Sequence, residues 1–107
     1  MQVNSINNGQ NFGLRLSKEF MAIARREKNA LIYRYGLNSF EMKRFAQTIK
    51  DIRKIKSDAI VDAYKCEYSP EVAVFVSSKT GHNNACRKFK NNDALFQNIL
   101  NFLKVSK

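Results

Sequence analysis

The stretch AIVDAYKCEYSPEVAVFVS, residues 59–77, decides the architecture. In its first half, Ala59–Tyr68, the β-formers alternate: Ile60, Tyr64, Cys66 and Tyr68 fall on one face, Val61 and Ala63 on the other. Ser69-Pro70 places a tight turn after them. Val72–Ser77 (VAVFVS) is apolar on both faces, which predicts a central strand of a sheet rather than an edge and places Phe75 in the core. The two runs therefore predict an antiparallel hairpin.

Before this hairpin the period changes from two to 3.6. Ser17 is placed to cap a helix with Glu19 in its first turn, and Phe20, Ala24, Leu31 and Tyr35 form one stripe flanked by Met21 and Ile32. Gly36 supplies the left-handed stop. Asn38 and Ser39 start a second helix, with Glu41 near its N-terminus and Met42, Phe45, Ala46, Ile49 and Ile52 as its buried face. The short link between the two predicts a helical hairpin. Ahead of them, Phe12, Leu14 and Leu16 alternate as a short strand. Residues 1–11 read as a polar lead with a short strand at Gln2–Ile6, leaving 12–107 as one domain.

Beyond the hairpin, Lys79–Asn84 (KTGHNN) is a turn-rich loop, and Ala85–Lys90 reads either as a third hairpin strand or as an irregular basic stretch. Asn91 or Asn92 caps a last helix, with Asp93 in its first turn and a broad apolar arc from Leu95, Phe96, Ile99, Leu100, Phe102 and Leu103. The order β-α-α-β-β-(β)-α predicts an α+β domain, its helices covering one face of a small, mostly antiparallel sheet.

The chain has 107 residues, 44% of them hydrophobic, enough for one modest core and too many for a disordered chain. Nineteen Lys and Arg face nine Asp and Glu, a formal charge of +10. Such a charge draws polyanions: RNA, DNA, an anionic membrane or an acidic protein. The opening residues lack the basic start and apolar centre of a signal peptide, and the longest strongly apolar run, Val72–Val76, is far too short to span a bilayer. A cytoplasmic protein that does not enter membranes is the expectation.

The segment Ile6-Asn7-Asn8…Asn11-Phe12-Gly13, followed by a strand-to-helix step, resembles the start of uncharacterised short bacterial proteins. That resemblance implies a bacterial source and no activity. The element order is also similar to that of the RelE-like toxins, small basic ribonucleases that cut messenger RNA on the ribosome. The likeness implies functional basic and aromatic residues on the sheet, where Lys65, Arg87 and Lys88 supply charge here. The Arg-rich central strands and the long gap before them are missing, which leaves every catalytic role unassigned.

Two groups of residues carry the expectation of nucleic-acid binding. On the second helix Lys43, Lys50 and Lys54 fall on one line, and on the first Arg26 and Tyr33 share the face opposite Phe20 and Leu31. Lysines so spaced can follow a phosphate backbone, and a tyrosine can stack on a base. The second group is Lys79, Arg87, Lys88 and Lys90 around the Gly81 loop, whose backbone N–H groups suit an anion. Both groups also fit ordinary solvated surfaces. Cys66, His82 and Cys86 are acceptable zinc ligands in kind, but their spacing indicates no fourth ligand, so neither metal nor cofactor is expected. His82 is more simply a turn residue, and no nucleophile–base pair is present for catalysis. The leading expectation is a non-enzymatic RNA-associated domain. The alternatives are a RelE-like ribonuclease, and a protein-interaction or structural module, with a protein partner or a homo-oligomer, whose charge is incidental.

Overall fold

The computed structural model describes residues 14–78 and 84–106. The expected lead, the Gln2–Ile6 strand, Phe12, Lys79 and His82 lie outside them. Along the described chain run β1 (Arg15–Leu16), α1 (Lys18–Tyr35), α2 (Phe40–Arg53), β2 (Ile60–Lys65), β3 (Glu71–Ser77), β4 (Ala85–Lys90) and α3 (Leu95–Ser106). The order β-α-α-β-β-β-α is that of an α+β domain, and Ala85–Lys90 is a strand.

The sheet is mixed, in the order β1-β2-β3-β4. β1 pairs with β2 in parallel, and β3 lies antiparallel between β2 and β4, so the apolar run 72–76 is central. Register aligns Val61 with Val76, Ala63 with Val74, and Val72 with Phe89. These side chains are all buried, and they form one core with Phe20 and Ala24 of α1, Ile52 of α2 and Leu95, Phe96, Ile99, Leu100 and Leu103 of α3. Phe96 receives both Phe20 and Phe45 edge-on, at ring-centroid distances of 5.6 and 5.4 Å. The helices thus cover a single face of the sheet.

The sequence's stop and start signals act at the helix ends. Ser39 Oγ accepts the Met42 N–H at 3.2 Å and donates to the Gly36 carbonyl at 2.8 Å. Gly36 has φ +100°, a conformation that strains any residue with a Cβ, and its N–H closes α1 on the Ile32 carbonyl. At the start of α3, Asn92 accepts the Ala94 N–H. Asp93 reaches sideways, accepting from the Arg34 guanidinium and the Tyr35 hydroxyl at the end of α1.

Three expected core placements are corrected. Ala46 is exposed, and the buried position beside it belongs to Thr48, whose hydroxyl is satisfied by the Arg44 carbonyl at 2.9 Å. Tyr35 is exposed because its hydroxyl turns outward to Asp93. Phe75 is 39% exposed, since the face of β3 on which it stands carries no helix layer.

Ser17 joins the sheet to α1. Its Oγ accepts the Phe20 N–H at 3.0 Å and donates to Asp62 on β2. Burial pushes the Asp62 carboxyl up, but hydrogen bonds from Ser17, the Tyr64 hydroxyl and the Ala63 N–H outweigh it and hold the group below its ordinary pKa. A depressed carboxylate contributes stability above the unfolded-state pKa and loses it as pH falls through the folded value. Ser17→Ala should cost about 1–2 kcal/mol in urea melts at neutral pH. The penalty should shrink as pH falls below the ordinary carboxylate range, through the depressed value of Asp62; a penalty independent of pH would detach Asp62 from this role.

Candidate nucleic-acid interface

Side chains alternate across the pleat, so the residues of β2, β3 and β4 that alternate with the core positions stand on the opposite face. Register places Arg15 beside Ile60 and Ser77, Asp62 beside Phe75 and Cys86, Tyr64 beside Ala73 and Lys88, and Glu71 beside Lys90. Tyr64 and Phe75, diagonal neighbours on adjacent strands, meet edge-to-face with ring centroids 5.8 Å apart. Both stay well exposed, as does Ile60. Ala73, level with Tyr64 and Lys88, is buried on this face.

The charges around the aromatic pair differ in how they are held. Asp62 is occupied by its three donors. Its bond from the Tyr64 hydroxyl, 2.6 Å long, raises the phenol's pKa and keeps the ring neutral. Glu71 accepts from Ser69 at 3.1 Å. Arg15, Lys88 and Lys90 form no ion pair among the described residues, where Arg34–Asp93 is the one recorded. The face therefore offers an aromatic pair beside cations free to meet an anionic chain.

Lys88 and Lys90 do not share a surface with the basic residues of the helices. Lys88 and Lys90 stand on the helix-free face, level with Ala73 and Glu71. Arg87 pairs with Val74 and so points to the helix side of the same strand, where it is exposed. Lys43 and Lys50 are exposed on α2 and Lys54 at its C-cap, and α2 packs on α1 and α3 within the helix layer. Tyr33 is 92% exposed on α1. Arg26 lines a pocket of about 240 Å³ with Glu27, Arg34, Lys65 and Asn91. There burial, followed by repulsion from Asp93, pushes the Glu27 carboxyl up against the counter-pull of Arg34. Cys66 and Cys86 are free thiols separated by β3.

Sequence reasoning missed the Tyr64–Phe75 pair. The usable signal was parity: Tyr64, Phe75, Lys88 and Lys90 share one face once the hairpin register is set, and Asp62 among them marks that face as wet. No helix of the described residues is long and apolar enough to cross a membrane. No protein-family model matches the chain, and no curated protein or solved structure is significantly similar to it.

Proposed function

We propose that this protein binds single-stranded RNA, without cleaving it, on the helix-free face of its sheet. The observation that carries the reading is the exposed, neutral Tyr64–Phe75 pair beside Arg15, Lys88 and Lys90. Single strands present unpaired bases that stack on aromatic rings, while their phosphates follow nearby cations. The formal charge of +10 adds a long-range attraction that speeds encounter with any polyanion.

Salt dependence tests the phosphate half of the proposal. Each phosphate contact to a single strand gives a slope of about −0.7 in log K against log salt. Lys88→Gln with Lys90→Gln should make the slope shallower by about 1.4 and weaken binding most at low salt. Lys43→Gln, Lys50→Gln and Lys54→Gln together form the comparison, since those lysines lie in the helix layer. A loss confined to that triple variant would move the RNA to the helices and reject the sheet face. No binding to a mixed RNA pool at about 50 mM salt would reject RNA altogether. Cleavage of ribosome-bound messenger RNA, lost in Arg87→Ala, would favour the ribonuclease reading instead.

A further inference from the structure

On the helix layer, α1 and α2 run as an antiparallel hairpin, with the Arg53 guanidinium 3.7 Å from the Met21 sulfur at the end away from the turn. Between them lies an open groove of about 510 Å³. Met21, Met42, Ala46 and Ile49 contribute to its floor. Its cations are Arg25 and Lys28 on one wall and Lys50 and Arg53 on the other, with no carboxylate among the lining residues. None of the four is in an ion pair among the described residues. The turn end is apolar, where Leu37, 63% exposed, closes the groove.

We propose that this groove docks an amphipathic helix of a partner protein whose apolar stripe is bordered by Asp and Glu. Charge complementarity selects that occupant. A second copy of the chain is disfavoured, because its matching groove carries the same four cations and the described part of α3 contains no acidic residue. An open trough does not enclose a small amphiphile, whereas small-molecule sites bury most of their ligand. RNA is poorly matched, since the floor is chiefly aliphatic and thioether side chains and its ring, Phe45, is half-buried against Phe96 rather than open for a base to stack on. A helix fits by laying residues at i, i+3, i+4 and i+7 along the floor. Its carboxylates then face both walls.

The probe is a fluorescently labelled helical peptide of about 15 residues, with leucines at that spacing and glutamates flanking them. It should bind the full chain with Kd of about 10–100 μM and shift amide resonances of α1 and α2 rather than of the sheet. A peptide of the same composition with scrambled leucines should bind at least about tenfold more weakly, and a Glu-to-Lys peptide not measurably. Ala46→Arg fills the groove without removing positive charge, and Ala46 is exposed, so the variant should fold and lose the peptide. Lys50→Glu with Arg53→Glu should weaken it about tenfold or more. Equal binding of the scrambled peptide, retention in Ala46→Arg, displacement of the peptide by RNA, or no binding of the probe would each overturn the proposal. The outcome is independent of the sheet-face reading, because Tyr64→Ala with Phe75→Ala should leave peptide binding intact.

Discussion

Phe20→Ala should lower the unfolding free energy by about 3–5 kcal/mol in urea melts, while Phe75→Ala should lower it by at most about 1.5 kcal/mol. The two residues are chemically identical, so the contrast isolates position. Phe20 is fully buried between sheet and helices, and its ring meets Phe96 edge-on. Truncating it removes that contact and leaves a cavity which the valines of β3 and the leucines of α3 can only partly fill. Phe75 stands on the helix-free face and is 39% exposed, so the main loss is its edge contact with Tyr64. Phe45→Ala belongs between them, because Phe45 is half-buried yet packs on Phe96. Equal costs for Phe20→Ala and Phe75→Ala would mean that something covers the outer face in solution.

The Phe75 case shows where reading the sequence succeeds and where it stops. A run apolar on both faces does locate the central strand, because β3 loses its edge to neighbours on either side. The same run does not say that both faces are covered by other layers. Coverage depends on how many helices exist and where the crossover from β1 to β2 carries them, and neither is local. Helix ends were legible because Ser17, Gly36 and Ser39 act through their own backbone neighbourhood. Ala46 and Tyr35 were not, since each sits near the border of its stripe, where a small rotation of the helix decides exposure. Thr48 shows the reverse: its hydroxyl is satisfied within its own helix, so a polar residue occupies a buried position that an apolar stripe assigns elsewhere.

The candidate site divides in the same way. Lys88 and Lys90 could be named as phosphate-binding from charge alone, but their company could not. It took the register between β3 and β4 to put them on the same face as Phe75, and the register between β2 and β3 to bring in Tyr64. Arg87, adjacent in sequence, faces the helix side because the pleat alternates. Formal charge marks a partner class, and strand parity marks a surface.

That surface makes its own demand on measurement. Tyr64→Ala combined with Phe75→Ala should weaken single-stranded RNA binding by at least about thirtyfold, at about 1–3 kcal/mol for each base-stacking ring. Both side chains are well exposed, so the double variant should remain folded, which its melting profile checks. Tyr64→Phe keeps the ring and removes the hydroxyl that bonds Asp62, so it should bind nearly as the parent does. The salt series then separates the two kinds of contact. Stacking releases no counterions, so the aromatic variant should bind more weakly at every salt concentration with an unchanged slope, whereas the Lys88 and Lys90 variant changes the slope itself. If the aromatic variant keeps full affinity, Tyr64 and Phe75 carry no bases, and the exposed pair is better explained as a surface awaiting a protein. If instead its slope falls as well, the rings act only by positioning Lys88 and Arg15, and RNA is held by charge without stacking.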